Sequence, residues 1–276
     1  MIVAEDVWFT YPNGVVALRG ISLKIEEGTT TALIGQNGSG KTTLAKMTNG
    51  LLKPTKGRVL VDRVDTAKKR TYELARTVGY SFQNPTRQLY TTSVRAELMA
   101  GPLNLGLGRG EAESRAEAAL DLFGLRGLEE ARPSSLPFPT KKLVGIASVY
   151  TMRPKAMVLD EPTTGQDHVG LTMVQNSIRK IREMGLTVVV ITHDMRLVAE
   201  SADRVAVMAM GELVRVGTPL EIFTDEAAMA KAALRPPQVV ELSSRLEAAL
   251  PGHGGLSRTV EEEVRKVRAV AGGSAS

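Results

Sequence analysis

Residues 35–42 read GQNGSGKT, directly behind the apolar run TTTALI at 29–34 and ahead of TLAKMTNG at 43–50. The eight residues fit G-x-x-x-x-G-K-[ST], and the flanks supply the setting this pattern needs: a buried strand entering the loop and a helix leaving it. Gly35, Gly38 and Gly40 let successive backbone N–H groups close around phosphate oxygens, with Gln36, Asn37 and Ser39 between them. In such a loop the Lys41 ammonium reaches the β- and γ-phosphates, and the Thr42 hydroxyl binds Mg²⁺. Thr43 follows in the first helical turn. The stretch therefore predicts an α/β fold whose ligand is a nucleoside triphosphate.

Outward from the loop, short alternating runs precede it: IVAEDVWFT, ISLKIEE and TTTALIG read as strands, with turns at Pro12-Asn13-Gly14 and Glu27-Gly28. A helix is expected over Lys41–Asn49, then strands at GRVLVD and VGYSFQ. From about 86 to 149 the character is helical; Ala112, Ala116, Ala119, Leu120 and Phe123 recur on one face. Strand signals return at AMVLD, LTVVVIT and DRVAVMAMGELVRVG, separated by the helical LTMVQNSIRKIREM. Strands alternating with helices specify a parallel sheet, here with N-terminal antiparallel strands and an inserted helical subdomain. Beyond about 225 the chain turns alanine-rich and then charged, which reads as a partly helical extension over 226–276 ending in a disordered GGSAS.

Composition bounds the function. The chain has 276 residues, 43% hydrophobic and 24% charged, as in a soluble globular protein. No run approaches the roughly 18 apolar residues of a membrane span. Glu5 and Asp6 stand where a signal peptide carries basic residues, so a cytosolic location is expected. The absence of cysteine excludes disulfides, thiolate metal sites and a cysteine nucleophile. The net charge of +5 is scattered, its densest cluster being AKKR at 67–70, and no nucleic-acid partner is expected.

Two further strand ends carry candidate chemistry. AMVLD runs into Asp160 and Glu161; beside a phosphate loop, Asp160 belongs to the magnesium shell and Glu161 polarises the attacking water. A strand ending in Asp-Glu is otherwise commonplace. VVVIT ends at His193, at the same sheet edge as Lys41 and Asp160, where ligands bind in such folds. His168 and His253 lack that setting and read as surface residues.

The order of phosphate loop, SFQNP with Gln83, LDEPTTGQD at 159–167 and ITHD at 191–194 resembles the ATPase subunits of ABC transporters over roughly residues 1–225. By that resemblance Tyr11 of FTYP stacks on adenine, although an aromatic at a strand end is often core. Gln83 touches Mg²⁺ and the water and reports to a membrane partner, Asp167 lies in the loop crossing a dimer interface, and His193 senses the γ-phosphate. SFQNPTRQLYTTSV, GPLNLGLGRGEA and RPPQVVEL are similar to the ATPases of energy-coupling factor (ECF) importers of vitamins or nickel and cobalt ions. The resemblance implies ATP and Mg²⁺ as cofactors. It also implies a second ABC ATPase subunit, a membrane-embedded coupling protein and a separate substrate-binding membrane subunit as partners, and a place on the cytoplasmic face of the membrane. A soluble ABC ATPase acting on ribosomes or DNA is the rival reading, but it expects two fused cassettes or a long coiled-coil insert. A regulatory nucleotide-binding subunit with little turnover is another.

One segment departs from the family. LPFPT at 136–140 stands where relatives carry LSGGQ: Pro137 replaces the serine, Phe138 and Pro139 the glycines, and Thr140 the glutamine. In the family this segment caps the γ-phosphate bound by the opposite subunit. Here a hydroxyl and an N–H are gone and a phenyl ring is added. The expectation is an asymmetric pair, in which a different chain with an intact signature completes the site built on Lys41.

Overall fold

The computed structural model describes residues 1–250 and 253–273. Its strands are β1 (Ile2–Thr10), β2 (Val16–Ile25), β3 (Thr30–Ile34), β4 (Lys56–Val61), β5 (Val64–Asp65), β6 (Val78–Ser81), β7 (Ala156–Asp160), β8 (Thr187–Ile191), β9 (Arg204–Ala209) and β10 (Glu212–Gly217). Among the described residues they form two sheets. An antiparallel sheet runs β2-β1-β4-β5, and a second sheet runs β10-β9-β3-β8-β7-β6. In the second, β9, β3, β8, β7 and β6 are mutually parallel. This is the parallel core with N-terminal antiparallel strands that the alternation of runs predicts.

The core strands β3, β7 and β8 are buried at every position, which explains why they read as unbroken apolar runs instead of alternating ones. DRVAVMAMGELVRVG divides into β9 and β10, because Met210 (φ 50°) and Gly211 (φ 84°) both turn left-handed. Two consecutive residues of positive φ close a tight hairpin whose twist matches its strands.

The helices are α1 (Lys41–Thr48), α2 (Thr71–Leu74), α3 (Val94–Asn104), α4 (Arg109–Leu122), α5 (Phe138–Tyr150), α6 (His168–Glu183), α7 (Met195–Ser201), α8 (Pro219–Phe223), α9 (Glu226–Lys231), α10 (Gln238–Ala249) and α11 (Val260–Gly273). Ala112, Ala116, Ala119, Leu120 and Phe123 are all fully buried, packed with α3, α5 and the inner face of β7 and β8 in one apolar cluster. Alanines along α4 let it approach its neighbours closely. A second cluster fills the space between the two sheets and α1. A third lies under α7, α8 and α9, and Val240 of α10 joins it. Of the tail expected to be disordered, Gly272 and Gly273 end α11, and 274–276 fall outside the described residues.

His253 contradicts its surface assignment. It is 2% exposed, with Nε2 2.7 Å from Glu263 Oε1 and Nδ1 3.3 Å from Glu247 Oε2. Sequence gives no warning, since these carboxylates come from α11 and α10 and meet the ring only when the two helices pair. His168 is exposed, as expected.

Candidate nucleotide site

Parallel register brings the functional strand ends to one edge. β3 pairs with β8 and β8 with β7, with Asp160 opposite Ile191. The loops leaving these strands carry Gly35–Gly40, Asp160-Glu161 and His193.

Gly35 (φ 147°) and Gly40 (φ 99°) hold the loop in shape. A Cβ on Gly35 would lie 2.0 Å from the Met208 carbonyl oxygen, and one on Gly40 2.6 Å from that of Ala17. No other residue fits either place. Lys41 is buried, and its Nζ donates to the carbonyls of Gly35 (2.7 Å) and Gln36 (2.9 Å) and to Ser39 Oγ (3.3 Å). Burial lowers its pKa, while Glu161 and Asp160 oppose that shift by favouring the ammonium.

Thr42 Oγ1 donates to Asp160 Oδ1 at 3.2 Å, and Tyr80 donates its hydroxyl to Asp160 Oδ2 at 2.8 Å. Burial raises the Asp160 pKa, and the two hydrogen bonds pull it back. Burial and the adjacent Asp160 charge raise the Tyr80 pKa well beyond the usual phenol range, so this hydroxyl stays a donor. Glu161 takes a left-handed φ of 50°. Its N–H donates to the Ile191 carbonyl at 2.8 Å. Its Oε2 lies 2.9 Å from His193 Nδ1 and accepts from Thr164 Oγ1 at 3.2 Å.

Tyr11, Asn37, Lys41, Thr43, Gln83 and Glu161 share the lining of one cleft of roughly 310 Å³, to which Gly38, Gly40 and Thr42 also contribute. The Tyr11 ring packs edge-on against Phe9, and its hydroxyl is 2.9 Å from Thr43 Oγ1. Tyr11 is thus anchored to the sheet and also presented to the cleft. Gln83 is exposed there. Of the sequence-predicted residues, Gly35, Gln36, Ser39, Asp160 and His193 do not line the cleft itself; Asp160 and His193 join it through Thr42 and Glu161.

Asp167 and Pro137–Thr140 lie apart from this cleft. Asp167 caps α6, accepting from the Gly170 N–H at 2.7 Å. Pro137 is the N-cap of α5, with Phe138 and Pro139 opening the helix. First-turn N–H groups have no partner within a helix, so proline is tolerated there. The Phe138 ring packs on Gly165, whose added Cβ would stand 2.8 Å from it, and Gln166 Nε2 donates to the Pro139 carbonyl at 3.1 Å. The segment is fastened to the loop of its own chain that runs from Glu161 to Asp167.

Tyr80 and Lys142 escape the sequence reading. Tyr80 looks like one more strand residue, and its tie to Asp160 follows from β6 pairing with β7. Lys142 looks like a surface lysine behind Lys141, yet it is buried.

The ABC transporter family profile matches residues 18–164. The chain is 40% identical to the energy-coupling factor transporter ATP-binding protein EcfA of Methanothermobacter thermautotrophicus, covering all of this chain and 89% of that one. It is 41% identical to the protein of the same name from Methanocaldococcus jannaschii, covering 88% of each. Among solved structures it resembles cbiO1 of Clostridium perfringens, part of the ABC transporter complex cbiONQ, with 34% identity, a TM-score of 0.75 and coverage of 91% of this chain and 95% of that one. It also resembles the ATP-binding cassette MJ0796 in a dimeric post-hydrolysis state with ADP and Pi, at 26% identity, a TM-score of 0.72 and coverage of 79% and 99%.

Proposed function

The chain belongs to the ABC transporter ATP-binding family, and from that premise we propose that it powers an ECF-type importer of a vitamin or transition-metal ion as one half of an asymmetric ATPase pair. It is an ATP-hydrolysing transporter subunit of the energy-coupling factor kind. The observation that carries the hydrolytic reading is the convergence of Lys41, Thr42, Asp160, Glu161 and His193 at one sheet edge, with Glu161 both lining the cleft and touching His193.

Bound ATP places its phosphates on the Gly35–Thr43 loop, where the Lys41 ammonium exchanges the loop oxygens it now holds for those of the β- and γ-phosphates. The Tyr11 ring offers a face to adenine. Glu161 accepts the proton of the attacking water, and His193 orients that carboxylate and contacts the γ-phosphate. The oxygens of Thr42, Asp160 and Gln83 are the hard donors magnesium takes, and the ion would neutralise charge on the phosphates. Tyr80 holds Asp160 in place for that role.

Residues 1–225 make up the ATPase unit and 226–276 an extension, of whose described residues Met229, Ala232 and Val240 pack against that unit and Arg258 donates to the carbonyls of Ala199 and Ala202. The inserted helices over about 86–149 serve the membrane partners. A cleft beside them, lined by exposed Tyr72 and Tyr90 with Arg76 and Glu97, supports docking of the membrane-embedded coupling protein, which carries a separate substrate-binding subunit. No helix of the described residues is long and apolar enough to cross a membrane, in keeping with a peripheral place on the cytoplasmic face. Asp167 meets the second ATPase across the dimer interface. The substituted signature is what favours pairing with a different chain.

The test is to solubilise membranes, purify through a tag on this chain, and assay the captured complex for ATP hydrolysis and transport. Capture of a second cassette with an intact signature and of membrane subunits is expected. A soluble chain with ribosomal or DNA partners would replace this reading. Recovery of the complex with negligible turnover would favour a regulatory subunit.

A further inference from the structure

Lys142 stands in the first turns of α5 and is 1% exposed. Among the described residues no salt bridge reaches its ammonium. Nζ donates to the main-chain carbonyl of Glu161 and sits 5.7 Å from the centre of the Phe138 ring. A cation buried without a paired carboxylate is costly, and an apolar side chain of the same length would fill the space without that penalty. Packing alone therefore does not account for a lysine here.

What it holds is unusual too. Glu161 is a non-glycine residue at φ 50°, a backbone state that L side chains adopt at a cost and that persists only when its surroundings enforce it. Relaxation requires rotating one of the two flanking peptides. The Ile191 carbonyl holds the first through the Glu161 N–H, and Lys142 holds the second through the Glu161 carbonyl. The side chain is then aimed at the cleft, at His193 and at Thr164. Phe138, itself 39% exposed, stands beside the buried ammonium and packs on Gly165, four residues beyond Glu161.

We propose that Lys142 is a positioning residue for Glu161, fixing its main-chain carbonyl so that the carboxylate stays directed at the attacking water, with Phe138 packed beside that contact. The inference rests on the reading of Glu161 as the water-activating base. It gives the altered LPFPT segment a task within its own chain, at the half-site built on Lys41.

The test uses the complex purified through this chain, carrying K142M, K142R or E161Q, with ATP affinity, kcat, KM and melting temperature measured for each. K142M removes the donor and the buried charge together. Its melting temperature should be unchanged or higher. Its ATP affinity and KM should stay within about twofold, while kcat falls by about tenfold or more. K142R keeps a donor and should recover part of kcat. If K142M loses stability, ATP affinity and kcat together and K142R recovers none of them, Lys142 is structural and the proposal is overturned. If K142M keeps wild-type kcat while E161Q abolishes it, the proposal fails and the Glu161 reading stands. Wild-type turnover in E161Q removes both.

Discussion

Glu161 Oε2 and His193 Nδ1 stand 2.9 Å apart although they lie 32 positions apart in the sequence, because each follows the carboxyl end of a neighbouring parallel strand. The pairing of Asp160 with Ile191 sets that distance. A slip of one residue would turn every side chain of β7 to the opposite face. The fit between the two side chains is therefore a property of the sheet.

The first prediction concerns that pair. Glu161→Gln keeps the shape but not the base, so nucleotide should still bind while hydrolysis drops by about a hundredfold or more. His193→Ala removes the neighbour that orients the carboxylate and should lower kcat with ATP affinity preserved. Single-turnover hydrolysis beside equilibrium binding separates the two effects; weakened binding with normal chemistry would contradict both assignments.

Lys41→Ala tests the phosphate loop. The wild-type ammonium already gathers three loop oxygens, and its removal takes away the cation that faces the phosphates. ATP binding should disappear in calorimetry of the full chain while the fold is retained by circular dichroism. Unchanged affinity would remove the loop from nucleotide binding.

Lys142 makes stability depend on pH in a definite direction. Burial lowers its pKa from 10.5 to about 8, against the opposing pull of Glu161 and Asp160. Between those values the unfolded chain binds the extra proton, so this group makes stability rise with pH across that window; below it the full penalty of the buried charge is present. The melting-temperature advantage of K142M over wild type should be largest near about pH 7 and shrink toward about pH 10. A gap that does not change with pH would mean that Lys142 binds its proton equally in the folded and unfolded chains, so that burial leaves its titration unshifted.

The sheet core and the phosphate loop were legible because each is local. GQNGSGKT carries its own strand and helix flanks, and β3, β7 and β8 are dominated by apolar residues and buried from end to end. Asp160, Glu161 and His193 could be placed as well, since strand ends share an edge once the sheet is parallel. What stayed hidden depends on tertiary neighbours of no sequence pattern. Lys142 sits beside Lys141 in the sequence, and only the packing of α5 against the loop after β7 buries one of them. Tyr80 reaches Asp160 only through the β6–β7 pairing. His253 is surrounded by glutamates from two helices that must first dock.

That last site gives a stability prediction. Glu263 is buried; against the upward push of that burial, the Ser257 and Ser243 hydroxyls, and after them His253, keep its pKa below the ordinary value. His253→Ala removes the ring's hydrogen bond to that buried carboxylate, and losing a hydrogen bond to a charged group costs on the order of 2 kcal/mol. The loss should be local. Hydrogen exchange should rise over α10 and α11, while the amides of β3, β7 and β8 keep their protection. Uniform acceleration across the sheet would mean that the extension and the ATPase unit unfold together.

The final prediction follows from the mouth of α5. A signature that caps a partner's γ-phosphate needs a hydroxyl and free N–H donors where the two backbones meet. In this chain Pro137 supplies no hydroxyl, Pro139 no N–H, and Phe138 is spent on Gly165 and Lys142. Hydrogen bonds to charged groups contribute about 1.5–3 kcal/mol each, so losing two weakens capping by about a hundredfold or more. Two copies of this chain would build two sites without a cap, whereas a partner with an intact signature would complete the site of Lys41, Glu161 and His193. The purified chain should therefore hydrolyse ATP far more slowly than the mixed complex. Damage to the partner's signature should stop transport, while Pro139→Ala here should change it little. Rapid hydrolysis by this chain alone, at the rate of the transporter, would show that LPFPT caps nucleotide by a geometry of its own and that the pair has no need to be asymmetric.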